Sequence, residues 1–315
     1  MERVTSRMII VALLVAVLAS SFATQAVRCQ VDSVMRGYVI DQTGVSGLYG
    51  LAAMAPNGRS FGVSTQISKL GEGGGYALVA TDSVGGVFVT WSDVYSYEVY
   101  FICSHDYGRS WGQIIRFGGG GNPLIACTDP SVTVDRRNGY VYAEWIDNRT
   151  GGNDLYVCRS VDRGVSFGPS VIVNDADGSV VWSGASYSTA IAVGKDGTVY
   201  AAWKDGRTNP IYTDIYFARS TDHGQTFSTN IRVNPYEAST MYSGASLPWI
   251  TVDEAGVVYV AYSMTNSTMS SVLLSRSLDG GLSFKAPAKV NDDSSSSYRG
   301  KKEVAVSNDG KVYMV

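Results

Sequence analysis

One eight-residue phrase recurs four times in this chain, and its recurrence limits the folds available. Residues 104–111 read SHDYGRSW, 160–167 read SVDRGVSF, 220–227 read STDHGQTF and 277–284 read SLDGGLSF. The shared skeleton is Ser-x-Asp-x-Gly-x-Ser/Thr-aromatic. It is carried by Asp106, Gly108 and Trp111, then by Asp162, Gly164 and Phe167, by Asp222, Gly224 and Phe227, and by Asp279, Gly281 and Phe284. The aspartate accepts hydrogen bonds from backbone N–H groups a few residues on and folds a tight turn over itself. The glycine takes a positive φ that a side chain would forbid. Strand-like runs flank every copy, for instance Ile215-Tyr216-Phe217 before the third and Ile231-Arg232-Val233 after it. Each phrase is therefore expected to be the turn of a β-hairpin.

The four aspartates are 56, 60 and 57 residues apart. A period that long, filled only with strands, points to a propeller blade or a β-repeat array. A second motif runs in phase between the turns. Gly86-Val87-Phe88-Val89-Thr90-Trp91 recurs at residues 139–145, 197–203 and 256–262, and begins again at Gly310. An alternating segment such as Val132-Thr133-Val134-Asp135 precedes each copy. These supply strands one and two, and the hairpin supplies three and four. The expected fold is all-β, a β-propeller of four-stranded antiparallel blades.

The repeated turns resemble the Asp-box, or bacterial-neuraminidase, repeats of sialidases and related β-propellers. That resemblance implies the fold and says little of activity, since a fold hosts many functions. It also implies that ligands sit near the axis on the face opposite the Asp-boxes.

Residues 1–26 read as a secretory signal peptide: Arg3 and Arg7 flank an apolar run over residues 8–19, followed by small residues. The run is short for a membrane span, so secretion or cell-surface display is expected, with no span after cleavage. Residues 27–47 are expected to lead in, and residues 48–315 to form the propeller. Within them, residues 48–61 look like a decayed third strand and turn that kept Gly58, Ser60 and Phe61 but lost the aspartate, and residues 61–68 like a fourth strand. Residues 303–315 supply only strands one and two. The two halves either complete a fifth blade together, or the chain is a fragment of a six-bladed ring.

A net charge of −3 without a basic stripe argues against a nucleic-acid partner. No cofactor motif is visible. With 2 histidines and 4 cysteines, the chain is too sparse in ligands for a zinc site, and no loop has the oxygen density of a calcium site. Cys103 and Cys158 lie three and four residues before their turn aspartates. That offset puts them on opposite sheet faces and disfavours pairing them; Cys127 lies between, and buried free thiols are expected.

On the face opposite the turns, two loops carry Trp145-Ile146-Asp147-Asn148-Arg149 and Trp203-Lys204-Asp205-Gly206-Arg207. The linkers carry Trp182 and Tyr242, each before Ser-Gly-Ala-Ser, and Arg299 in a later copy. A guanidinium fork suits a carboxylate ligand, so Asp147, Arg149, Asp205, Arg207, Trp182 and Tyr242 are candidate ligand-binding residues. Equally, a feature that recurs in every unit builds the ring, and that reading is favoured; it also covers Arg159, Arg219 and Arg276. Two sequons, at Asn148 and Asn266, lie in loops.

The sialidase resemblance implies three arginines around a substrate carboxylate, a tyrosine nucleophile with a glutamate partner, and an aspartate acid/base. The family's early Phe/Tyr-Arg-Ile-Pro motif is absent, and Met35-Arg36-Gly37-Tyr38 matches it poorly. Arg149, Arg207 and Arg299 are the clamp candidates. Glu98 beside Tyr97 is the nearest tyrosine–glutamate grouping, and Glu144 is a lone charge in an apolar strand. Three functions are compatible: a propeller binding a carbohydrate or protein ligand outside the cell, an exo-α-sialidase-type hydrolase, or a structural repeat segment of a larger surface protein.

Overall fold

The computed structural model describes residues 35–37, 49–50, 65–68, 74–93, 95–118, 126–182, 188–209, 211–235, 244–265, 270–291, 304–307 and 311–314. Short strands β1 (Met35–Gly37), β2 (Tyr49–Gly50) and β3 (Thr65–Gln66) come first. The first sheet holds β4 (Gly74–Thr81), β5 (Val87–Asp93), β6 (Glu98–Ser104) and β7 (Ile115–Phe117), with β1 added beside β4. The second holds β8 (Cys127–Asp135), β9 (Tyr140–Asp147), β10 (Asp154–Ser160) and β11 (Val171–Ile172). The third holds β12 (Thr189–Val193), β13 (Val199–Asp205), β14 (Asp214–Ser220) and β15 (Ile231–Arg232). The fourth holds β16 (Ala245–Val252), β17 (Val258–Thr265), β18 (Ser270–Ser277) and β19 (Ala288–Lys289). A last pair joins β20 (Val304–Val306) to β21 (Val312–Met314).

Each sheet is an antiparallel meander, as its short turns dictate. The second strands are apolar almost throughout because neighbouring sheets cover both of their faces. Trp91, Trp145, Trp203 and Tyr262 occupy the same place in the four second strands and are fully buried. One core lies between the first and second sheets, around Phe101, Phe117 and Trp145. Another joins Leu155 and Val157 of the second to Ile191 and Trp203 of the third. A third joins Tyr200 and Phe217 to Ile250 and Tyr262 of the fourth. The later ends of β4, β8, β12 and β16, with Val304 of β20, enclose a single cavity of about 130 Å³. The first strands thus circle a common axis. The molecule is a β-propeller.

The four aspartate turns gather on one side of it. In the second, Asp162 accepts from the Ser160 hydroxyl at 2.7 Å, the Ser166 N–H at 2.9 Å and the Ser166 hydroxyl at 2.5 Å. The other three repeat that pattern. Adjacent turns are also tied together. Arg159 donates to the His223 carbonyl at 2.9 Å, Arg219 to that of Gly280 at 2.8 Å, and the Cys103 thiol to that of Gly164 at 3.5 Å. The arginines before the turns are therefore ring ties, as expected for Arg159 and Arg219.

Gly281 has φ +88°, and a Cβ there would lie 2.6 Å from the ring of buried Phe217. Gly256 has φ +84° with open space around it. Gly281→Ala should therefore cost about 1–3 kcal/mol, visibly more than Gly256→Ala, as read from urea midpoints. Equal costs would contradict the packing described here.

Two expectations need correction or qualification. Cys103 and Cys158 do lie on opposite faces of their own sheets, but adjacent sheets meet through opposite faces, so both thiols enter the same core. Phase brings them together rather than apart, and they remain free thiols, as does Cys127. At the chain ends, Tyr49 pairs with Gln66 where a third and fourth strand were expected, and the β20–β21 hairpin stands where strands one and two were expected. β1 falls in the segment read as lead-in. The decayed turn between β2 and β3, residues 1–26 and the Asn266 sequon lie outside the described residues.

Candidate functional site

On the side away from the turns, each second strand ends in a loop. In the second and third sheets that loop is built around a buried carboxylate. Asp205 accepts from the Trp203 indole at 2.8 Å, the Ser179 hydroxyl at 2.8 Å, the Arg207 N–H at 2.9 Å and both arms of the Arg207 fork at 2.9 Å. Arg207 continues to Asp175 at 2.6 Å and Asn230 at 2.9 Å, with its guanidinium 4.0 Å from the centre of the Tyr216 ring. Asp147 does the same work one sheet earlier. It takes the Trp145 indole at 3.2 Å, the Cys127 thiol at 3.3 Å, the Arg149 N–H and Nε at 2.8 Å each, and the Arg149 Nη2. Arg149 stacks 4.3 Å from the Tyr156 ring centre.

Asp147–Arg149 and Asp205–Arg207 are thus intra-loop pairs that seal strand ends, not arms of one clamp. Arg299 and Tyr242 lie outside the described residues. Glu98 accepts from Tyr100 at 2.8 Å and from Arg116 at 3.1 Å, so its tyrosine partner is Tyr100, while Tyr97 points elsewhere. Tyr97 has φ 53° and packs edge-on against Trp182, with 6.4 Å between ring centres. Glu144 is fully buried in β9, opposite Ser131. Its neighbours along that face, Tyr142 and Ile146, belong to the core shared with the third sheet.

The axis mouth on this side is shaped by interruptions in the innermost strands. β8 shifts register between Thr128 and Ser131, and β16 between Ser246 and Trp249. The residues in the gaps are Asp129-Pro130 and Leu247-Pro248, and Asp129 and Leu247 have φ 48° and 56°. Proline cannot donate to a ladder, so inside a buried strand it marks a bulge; bulges re-aim side chains and concentrate beside active sites. Here the bulge turns Asp129 toward the third sheet. Its carboxylate accepts the Ser188 N–H at 3.0 Å and its carbonyl accepts the Thr189 hydroxyl at 3.1 Å. Lys204, half-buried at the end of β13, bonds through its backbone to the Ser188 carbonyl at 2.8 Å and the Val181 N–H at 2.9 Å. Burial lowers the pKa of its ammonium, and the Asp129 charge offsets part of that fall.

Trp182 follows Val181 directly. Its indole N–H has no acceptor among the described residues. Asp129, Ser188 and Lys204 are thus neighbours, and the Tyr97–Trp182 ring pair adjoins them through Val181. A carboxylate beside an ammonium whose pKa burial lowers is a pairing found at functional sites.

Tyr97 and Trp182 are legible as candidates in the sequence, and Asp129 and Lys204 are not. The available signal is proline inside a strand that otherwise reads as buried. A structural repeat is equally inconspicuous in the sequence. Asn174 and Asn234 each accept from the backbone at the start of a third strand and donate to an aspartate there, and Asn291 accepts in the same way. Their spacings, 60 and 57, match those of the turns. Among the described residues no group of three histidine, cysteine or acidic side chains could hold a metal, and no helix is long and apolar enough to cross a membrane.

No protein-family model matches the sequence, and no curated protein matches it. Solved structures do match in fold. An α-L-arabinanase from Penicillium chrysogenum, complexed with arabinobiose, aligns over 75% of this chain and 73% of its own, with TM-score 0.52 and 14% identity. An endo-arabinase from Bacteroides thetaiotaomicron aligns over 75% and 86%, with TM-score 0.46 and 15% identity. A Hadza microbial sialidase aligns over 79% of this chain at TM-score 0.44 and 14% identity, and the chain spans 66% of that structure's length. At these identities the likeness is one of fold alone, that of a β-propeller.

Proposed function

We propose that this chain is a glycan-handling propeller, secreted or displayed at the cell surface, that takes a sugar at the axis mouth opposite its Asp-box-like turns. The observation that carries this is the bulge that holds Asp129 in a left-handed conformation beside Ser188 and the burial-perturbed Lys204. The Asp129 carboxylate and the Lys204 ammonium offer an acceptor and a donor to sugar hydroxyls, and Tyr97 and Trp182 offer ring surface to the apolar face of a sugar. The arabinobiose complex of the fold neighbour supports a neutral saccharide as the first ligand to try.

A second reading, glycoside hydrolysis, is favoured by one observation: Asp129 and Glu144 are two buried carboxylates on adjacent strands of one sheet, the residue types such chemistry uses. Turnover of the exo-α-sialidase type draws no support from Arg149 and Arg207, which Asp147 and Asp205 already engage.

The test is calorimetric titration of the purified chain with arabinobiose and with sialyllactose, alongside release assays on fluorogenic arabinofuranoside and sialoside. Binding without release supports a binding propeller. Release lost in both Asp129→Asn and Glu144→Gln supports the hydrolase. Neither binding nor release across a broad neutral and acidic panel would favour a purely structural repeat segment and reject this reading.

A further inference from the structure

We propose that the groove at the rim between the first and second sheets is a second binding site, for the carboxylate or sulfate of a small ring-bearing ligand. The repeats provide an internal control. Pairing of Phe101 with Ile115 and of Val157 with Val171 sets these two sheets 56 residues apart, and pairing of Phe217 with Ile231 sets the third 60 further on. Between the second and third sheets, Arg207 is closed off by the chain itself, through the Asp175 carboxylate at 2.6 Å and the Asn230 amide oxygen at 2.9 Å. At the same positions between the first and second sheets the sequence has Gly119 in place of Asp175 and Ser170 in place of Asn230.

The consequence is visible at Arg149. Its Nε and Nη2 are spent on Asp147, but its Nη1, the arm corresponding to the one Asp175 takes, has no acceptor among the described residues. Its side chain is 33% exposed against 18% for Arg207. Beside it opens a groove of about 240 Å³ walled by Phe117, Trp145 and Phe167, with Ser170 and Arg116 at its edge. Phe117 stacks on Trp145 with 5.0 Å between ring centres, so the wall is rigid and aromatic. Gly118 keeps the floor low: a Cβ there would fall 2.3 Å from the Cys127 sulfur and 2.7 Å from Asp147. Asp175 shows what the corresponding arm of Arg207 binds. In the groove an external anion takes that place, held by charge-assisted hydrogen bonds from the Nη1 group alone, with its ring against the aromatic wall.

The experiment follows the indole N–H resonances of the ¹⁵N-labelled chain during titration with D-galacturonate, D-galactose and sodium sulfate. Galacturonate should move the Trp145 indole and leave that of Trp182 in place, sulfate should compete with it, and galactose should do neither. Ser170→Asp puts a carboxylate of the chain's own beside Arg149 and should weaken galacturonate at least about tenfold, since hydrogen bonds to charged groups are worth about 1.5–3 kcal/mol. Ser170→Asn, a residue the third sheet accommodates at this position, should act in the same direction should the aspartate variant fold poorly. Absence of a Trp145 shift, an equal shift with galactose, failure of sulfate to compete, or unchanged binding in both variants would overturn the proposal. A shift confined to Trp182 would also overturn it, and would bear on the axis site instead.

Discussion

Asp205→Ala should lower the unfolding free energy by about 3–5 kcal/mol, the cost of removing one partner from a buried, hydrogen-bonded ion pair. Asp205 is fully buried, and its loss strands an indole N–H, a serine hydroxyl and the Nε of a guanidinium. Arg207 keeps Asp175 and Asn230, which places the expected loss toward the lower end of that range. Asp147→Ala removes a similar hub, but Arg149 has no such reserve among the described residues and the loss should be larger. Urea unfolding followed by tryptophan fluorescence reads both. Near-neutral results would mean that these loops do not seal the strand ends and that their arginines are available to a ligand after all.

The largest functional effect is expected at Asp129. Asp129→Asn keeps shape and the backbone bond to Ser188 but removes the charge, and should weaken saccharide binding by about ten- to a hundredfold. Lys204→Met, which keeps an unbranched side chain of similar length, should act in the same direction. Lys204 loses its proton at a lower pH than an exposed lysine does, so binding should also weaken as pH rises toward the alkaline range in the wild type, and not in Lys204→Met. Isothermal titration at a series of pH values reads all of this. Unaltered affinity in both variants would move the site away from the axis.

Acid should act on a different part of the molecule. Burial raises the Asp162 and Asp222 carboxyls, but their serine and threonine hydroxyls and backbone N–H groups outweigh it and hold both at about 2. The hydroxyls of Ser110 and Ser277 lead in holding Asp106 and Asp279 lower still. A carboxyl with a depressed folded-state pKa stabilises the fold above its unfolded pKa, and that contribution is lost as pH falls through the folded value. The melting temperature should therefore be level above about pH 4 and fall between about pH 4 and pH 2. A level profile down to pH 2 would contradict the hydrogen-bonding scheme of the turns.

The ring was legible in the sequence because its determinants are local. The aspartate turn closes on itself within eight residues, and the glycine it needs cannot be disguised. The period of second-strand aromatics is equally plain. The ring ties of Arg159 and Arg219 followed from recurrence alone. The site was less legible for a physical reason: what distinguishes one sheet from the next is a departure from the repeat, and departures have no second copy to announce them. Asp129 is displayed by a one-residue register slip that only the prolines betray. Lys204 looks like any loop lysine until the third sheet buries it, and Glu98 sat beside three tyrosines in sequence while structure chose Tyr100. The thiol pair shows the opposite failure, a correct phase read with the wrong geometry, because faces that diverge within a sheet converge between sheets.

The most direct test of the account is a crystal structure of the chain soaked with arabinobiose. Density for the sugar over Trp182 and Tyr97, within hydrogen-bonding reach of Asp129 and Lys204, is the predicted result. Density instead in the cavity among the turns, beside Arg137 and Asp253, would contradict it.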